Sequence, residues 1–336
     1  MPDFYDDIAP MTQPVLSIRD LTVEIPTRHG ILRPVDGVSY DIAPGEILGV
    51  VGESGAGKSM AGNAVIGLLS PPARNAKGEI HVNGARIDQL KGDAMRRLRG
   101  KEIGMVFQDP LTSLNPLLRI GDQLTETILA HLDVSRSEAE KRAVAALDEV
   151  GIPGAAERIN SYPHEFSGGM RQRVVIALAL CAEPSLIIAD EPTTALDVSV
   201  QAQIIALLKN LCKERGTAVM LITHDMGVIA EAADRVAVMY AGKLAELGSV
   251  RDVLTTPRHP YTDGLMGSTP LASRGKKRLH QIPGAMPRLD NLPTGCAFHP
   301  RCPYVADKCR HDPAPRLADG GGAACWFPLE KSEAVA

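Results

Sequence analysis

The chain has 336 residues, enough for one large α/β unit with additions or for two or three domains, and its 44% apolar and 23% charged residues are those of a globular protein. A formal net charge of -4 with only 4% aromatic residues argues against a protein devoted to gripping nucleic acid, because that work needs a basic face and rings for base stacking. The longest apolar run, residues 174–182, is nine residues long, whereas a membrane-crossing helix takes about 20. The acidic start, Met1-Pro2-Asp3-Phe4-Tyr5-Asp6-Asp7, lacks the regions of a signal peptide, so a cytoplasmic location is expected.

In chain order, residues 1–13 are expected to be a loose extension. Leu21, Val23 and Ile25 alternate within 15–25 as in a half-buried strand, and 35–42 offers a second. Pro44-Gly45 makes a turn before the strand Ile47-Leu48-Gly49-Val50-Val51. Gly52-Glu53-Ser54-Gly55-Ala56-Gly57-Lys58-Ser59 follows it and leads into a helical stretch over 59–69. Strand, glycine-rich loop and helix in that order are the context of a phosphate-binding loop. Its glycines let backbone N–H groups turn inward around phosphate oxygens, and the helix N-terminus adds partial positive charge. Lys58 then reaches the β- and γ-phosphates, and Ser59 offers a hydroxyl to Mg²⁺.

Residues 79–82 are read as a further strand, so that the early strands form a small antiparallel layer beside the nucleotide site. Another strand over 102–107 delivers Gln108 at its end. From about 110 to 165 the pattern turns helical, with segments at 120–132 and 137–150, and reads as an insertion between two parts of a nucleotide-binding core. Phe166-Ser167-Gly168-Gly169-Met170-Arg171-Gln172-Arg173 opens an apolar helix to about 182. The buried strand Leu186-Ile187-Ile188-Ala189-Asp190 ends in Asp190 and Glu191, and after a helix over 199–214 the strand 218–223 ends at His224. Strands alternating with helices imply a mostly parallel sheet with ligands at the carboxyl ends of its strands. Strands at 236–240 and 243–247 close the core. The remainder is rich in Pro and Gly, and little regular structure is expected there.

Hydrolytic phosphoryl transfer needs a metal ligand, a group that orients water and a sensor of the γ-phosphate. Asp190 suits the Mg²⁺ carboxylate, and Glu191 is placed to polarise the attacking water. Capping a strand would explain either residue alone; the agreement of the loop, Gln108, Asp190, Glu191 and His224, all at strand ends, favours chemistry.

These residues resemble those of ABC transporter ATPase subunits. Gly52 to Ser59 corresponds to Walker A, Gln108 to the Q-loop, Ser167-Gly168-Gly169-Met170 to the signature, Asp190 to the end of Walker B, Ala195-Leu196-Asp197 to the D-loop and His224 to the switch histidine. Phe166 and Met170 depart from the usual LSGGQ, but Ser167, Gly168 and Gly169 are kept. The resemblance implies an ABC-type α/β nucleotide-binding domain over 14–250, between the extension at 1–13 and a C-terminal extension at 251–336. It implies ATP and Mg²⁺, with Ser59, Gln108 and Asp190 about the metal and Glu191, His224 and Gln108 in catalysis. It also implies a head-to-tail dimer with a second ATPase subunit, a different chain, whose signature covers the triphosphate held by the other's Walker A. Such ATPases stack an aromatic ring on the base, yet none lies between Leu21 and Val35, which leaves Ile25, Arg28 or His29 to cover it.

Gln108-Asp109-Pro110-Leu111-Thr112-Ser113-Leu114-Asn115-Pro116, His259-Pro260-Tyr261-Thr262 and the cysteine tail are similar to the dipeptide/oligopeptide importers within that family. Membership implies two membrane-spanning permease subunits, an extracytoplasmic solute-binding protein and a peripheral place on the cytoplasmic face of the membrane. The same machinery importing a nickel chelate, glutathione or an opine is an alternative. A nucleic-acid ABC ATPase is a second, and no nucleic-acid partner is expected.

Of six cysteines, Cys181 and Cys212 fall in apolar helical patterns as buried thiols. Cys296, Cys302, Cys309 and Cys325 are separated by five, six and fifteen residues. Four thiolates suit Zn²⁺ or an iron–sulfur cluster, although the spacing is not the C-x2-C of common zinc ribbons, and free thiols or disulfides are the remaining alternative. The importer resemblance implies a 4Fe-4S cluster on these four positions.

Overall fold

The computed structural model describes residues 13–194, 196–268, 281–317 and 320–330. The loose extension, except for its last residue, and Ala195 of the D-loop lie outside the described residues. The strands are β1 (Leu16–Thr27), β2 (Gly30–Ile42), β3 (Ile47–Val51), β4 (Arg74–Val82), β5 (Ala85–Arg86), β6 (Ile103–Val106), β7 (Leu186–Asp190), β8 (Ala218–Ile222), β9 (Arg235–Tyr240), β10 (Lys243–Ser249) and β11 (Gly322–Ala323). They form a four-stranded antiparallel sheet in the order β2-β1-β4-β5 and a seven-stranded sheet in the order β11-β10-β9-β3-β8-β7-β6.

Within the larger sheet β3 pairs in parallel with β8 and β9, and β7 with β8 and β6. Every residue of β3, β7 and β8 is buried, as continuous apolar runs must be when both faces of a parallel sheet are covered. One face meets the antiparallel layer and helix Lys58–Val65. The other packs against the remaining helices. Small residues permit the closest approaches: a Cβ on Gly49 of β3 would stand 2.5 Å from Ile229 Cδ1, and one on Gly104 of β6 would stand 2.4 Å from the carbonyl oxygen of Ala179. Helices Met226–Ala232 and Gly168–Leu180 therefore sit directly on the sheet.

The helical insertion is present as Ile120–His131 and Arg136–Glu149, which bury Leu124, Ile128, Ala139, Ala143 and Leu147. Ser135 caps the second helix by accepting the N–H of Glu138. Helix Lys58–Val65 stops short of the expected residue 69, since Gly67 takes φ +66 and breaks the helical run. The tail is more regular than its Pro and Gly content suggests. Helices Val250–Thr255 and Pro260–Gly267 follow β10, and β11 adds antiparallel to β10. The Glu246 carboxylate on β10 accepts the N–H groups of Arg258 and His259, both at 2.9 Å, which fixes the start of the tail against the sheet.

Candidate nucleotide site

The glycine-rich loop leaves the carboxyl end of β3, near the middle of the larger sheet, and turns into helix Lys58–Val65. Two glycines are dictated by space. Gly57 has φ +106, and a Cβ there would lie 2.0 Å from the carbonyl oxygen of Pro34; Gly52 has φ +149, and a Cβ would lie 2.2 Å from that of Met239. No L side chain fits either position. β2 and β9 thus press on the loop from two sides and shape it.

Lys58 is buried, and its ammonium donates to the carbonyls of Gly52 at 2.8 Å and Glu53 at 3.2 Å. Burial lowers its pKa, opposed by the charges of Glu191 and Asp190. The Ser59 hydroxyl donates to Asp190 Oδ1 at 2.9 Å. Burial raises the Asp190 carboxyl, with the Glu191 charge adding to the rise and the Ser59 hydrogen bond and Lys58 opposing it. A carboxylate strained by desolvation in this way is one that a cation would stabilise.

Glu191 is the residue on which three elements converge. Gln108 Nε2, past the end of β6, donates to its Oε2 at 2.9 Å. The Thr194 hydroxyl donates to the same oxygen at 2.8 Å, and His224 Nδ1, past the end of β8, lies 3.1 Å from Oε1. Burial pushes the Glu191 carboxyl up, but hydrogen bonds from Thr194 and His224 and the charges of His224 and Lys58 outweigh it and hold it low. Glu191 also has φ 48, a left-handed conformation that costs a non-glycine residue about 1–3 kcal/mol. Its own N–H donates to the carbonyl of Ile222 at 2.8 Å, which holds it there.

The expected residues therefore gather in two linked groups, Lys58-Ser59-Asp190 and Gln108-Glu191-His224. Gln108 meets Glu191; the metal set of Ser59, Gln108 and Asp190 does not close on itself, and no hydrogen bond among the described residues joins Gln108 to the other two. Ser167 instead caps helix Gly168–Leu180 by accepting the N–H of Met170 at 3.3 Å. No hydrogen bond among the described residues links it to the loop. Arg28 and His29 form the exposed turn between β1 and β2.

Three contacts were not foreseen from sequence. Thr194 follows the carboxylate pair closely and was readable as a polar neighbour. The Tyr261 hydroxyl, which accepts the N–H of Glu53 at 2.9 Å, and Arg301, whose Nη1 donates to Glu53 Oε2 at 2.9 Å, come from more than 200 positions away and carry no local signal.

A model of the family described as "ABC transporter" matches residues 35–194, and one described as "Oligopeptide/dipeptide transporter, C-terminal region" matches 245–309. The oligopeptide transport ATP-binding protein OppD of Bacillus subtilis is 51% identical over 293 residues, covering 87% of this chain and 82% of the relative. The dipeptide transport ATP-binding protein DppD of the same organism is 47% identical over 322 residues, covering 95% and 96%. The chain belongs to the ABC transporter ATP-binding family, in its oligopeptide/dipeptide branch. Among solved structures, a dimeric ATP-binding cassette in a post-hydrolysis state with ADP and Pi aligns with TM-score 0.63 at 29% identity, covering 70% of this chain and 99% of that one. The cassette cbiO1 of Clostridium perfringens aligns with TM-score 0.63 at 28% identity, covering 72% and 91%. This ABC subunit is accordingly an ATPase coupled to transport, using ATP and Mg²⁺. No helix of the described residues is long and apolar enough to cross a membrane.

The iron–sulfur expectation for this ABC subunit is corrected. Cys296, Cys302, Cys309 and Cys325 do border one cavity, together with Phe298 and Trp326. Burial raises the thiols of Cys296, Cys302 and Cys325 above the ordinary thiol range. Among the described residues no group of three or more His, Cys, Asp or Glu side chains is arranged to hold a metal ion. The relatives are named as ATP-binding proteins, not as iron–sulfur proteins. The 4Fe-4S assignment is therefore withdrawn, and the arrangement of the described residues supports neither it nor the alternative Zn²⁺.

Proposed function

We propose that this chain is the energy-coupling subunit of an importer for dipeptides or oligopeptides, in which ATP-driven closure of an ATPase pair moves two permease subunits. The observation that carries the reading is the convergence of Gln108 and His224 on Glu191 beside the phosphate loop; the C-terminal match and the OppD and DppD relatives supply the cargo class.

Gly52, Glu53, Ser54, Gly55, Ala56, Gly57, Lys58 and Ser59 are assigned to the phosphates, with Lys58 exchanging its carbonyl partners for phosphate oxygens. Ser59 and Asp190 are hard oxygen donors suited to Mg²⁺, which takes few protein ligands and completes its shell with water and phosphate. The ion, when bound, neutralises charge on the triphosphate. Glu191 is assigned to accept a proton from the attacking water, with His224 and Gln108 holding its carboxylate and marking the γ-phosphate position. Ser167, Gly168 and Gly169, at an exposed helix N-terminus, are assigned to the triphosphate of a facing subunit. Leu111 and Leu117, exposed by 62% and 82% just beyond Gln108, offer apolar contact to a permease, and this side of the subunit would face the membrane from the cytoplasm. The nucleotide-binding unit is assigned to 14–250 and the extension to 251–336.

Uptake by the complete transporter in proteoliposomes, with its solute-binding protein outside and ATP inside, tests this. Labelled di- and oligopeptides are expected to accumulate only with ATP. Accumulation of a nickel chelate, glutathione or an opine in their place would overturn the cargo assignment.

A further inference from the structure

The C-terminal extension reaches back to the phosphate loop, with its hydrogen bonds on Glu53. The Tyr261 hydroxyl, on helix Pro260–Gly267, accepts the backbone N–H of Glu53 at 2.9 Å. Arg301 Nη1 donates to the Glu53 carboxylate at 2.9 Å. Arg301 is held in turn: its Nε donates to the Pro283 carbonyl at 2.9 Å, its Nη2 to that of Gly284 at 3.4 Å and its Nη1 to the Tyr240 hydroxyl at 3.4 Å. Its side chain is 7% exposed, against 28% for Glu53. The rings of Tyr240, Tyr261 and Phe298 pack on one another with centroids 4.6–5.4 Å apart, so both contacts rise from one rigid aromatic base. Met286 adds a third touch, its Cε standing 3.1 Å from where a Cβ on Gly55 would be.

A buried guanidinium costs desolvation, and a position of this kind is explained by what its partner does. The Glu53 carbonyl is one of the two, with that of Gly52, that receive the Lys58 ammonium, in a loop whose glycines leave the free backbone many conformations. An unneutralised Glu53 carboxylate would also stand beside incoming phosphates and repel them. We propose that Arg301 and Tyr261 are positioning residues for the phosphate loop: from the C-terminal extension they fix the backbone and cancel the charge of Glu53, so that the loop is set for the triphosphate before it arrives. This rests on the reading of 52–59 as the phosphate loop. Neither residue touches the nucleotide in this scheme, so both act on binding rather than on cleavage.

The experiment measures ATP turnover by the assembled transporter in proteoliposomes. Losing a charge-assisted hydrogen bond corresponds to about a tenfold or larger change in an equilibrium constant. Arg301→Ala is therefore expected to raise KM for ATP by about tenfold with kcat changed less than about twofold, Arg301→Lys to recover most of the loss, and Tyr261→Phe to raise KM by about threefold or more. In the Glu53→Ala background Arg301→Ala should shift KM by less than about twofold, because a double-mutant cycle isolates the pair. Tyr261→Phe removes one oxygen and supplies the reading if Arg301→Ala fails to assemble. An unchanged KM in Arg301→Ala or Tyr261→Phe, or an equal rise with and without Glu53, overturns the proposal. Lys58→Ala separates the two levels: loss of nucleotide binding in that variant with no effect of Arg301 and Tyr261 rejects the clamp alone, whereas tight binding in Lys58→Ala rejects the loop assignment beneath it.

Discussion

At the scale of residues, the site is two carboxylates made unlike by their neighbours. Asp190 is buried at the end of β7 with a raised carboxyl and one hydroxyl partner. Glu191, next in the chain, turns its backbone left-handed and so aims its carboxylate at Gln108, Thr194 and His224. Paired environments that pull two acids in opposite directions are how one site divides metal binding from proton transfer. Glu191→Gln keeps the shape and removes the base, so ATP should still bind while turnover falls by about 10²- to 10³-fold; phosphate release measured against calorimetric affinity checks this, and unchanged turnover would remove Glu191 from its role. Lys58→Ala should abolish detectable ATP binding in the same calorimeter, because the phosphates lose their point charge.

At the scale of elements, helix Pro260–Gly267 is what brings the extension to the loop, and His259 starts it. His259 Nδ1 accepts the N–H of Tyr261 at 3.0 Å, one residue into the helix, which requires a neutral ring with its proton on Nε2. Burial lowers its pKa to about 4 from 6.5. A histidine depressed in the folded state stabilises fully above 6.5 and loses that contribution as pH falls toward 4. Acidification from pH 7.5 to 5 should therefore cost about 2 kcal/mol from this residue. Urea unfolding at the two pH values reads the difference, and His259→Asn, which keeps an acceptor and gains no proton, should remove that part of it. An identical pH dependence in the variant would contradict the cap.

At the scale of the whole molecule, the described residues carry one phosphate loop and one signature helix with an exposed N-terminus, with no hydrogen bond between them. A nucleotide seated on the loop of one subunit would leave its outer face open to the Ser167 end of another. Mg-ATP is thus expected to drive association with the partner ATPase in the Glu191→Gln variant, where turnover cannot undo it, and not in Lys58→Ala. Light scattering of the mixed subunits reads the mass, and association independent of nucleotide would contradict this geometry. The same scale explains the tail: β11 on β10, Glu246 under the Arg258 and His259 amides, and Arg301 on Glu53 tie its described parts to the core at several points.

Local pattern was sufficient for the parallel strands, whose unbroken apolar runs have no other stable place, and for the loop, whose glycines and Lys58-Ser59 form a continuous signal. It also placed Gln108, Asp190, Glu191 and His224 at strand ends, because a strand ends where its apolar run does. Only the tertiary structure decided that Gln108 and His224 close on Glu191 and not on the Ser59-Asp190 pair, that four cysteines border one cavity, and that Tyr261 and Arg301 grip Glu53. The reason is common to all three: a contact between residues far apart in the chain is set by the spacing and direction of packed elements, and spacing along a sequence carries no record of distance across a fold.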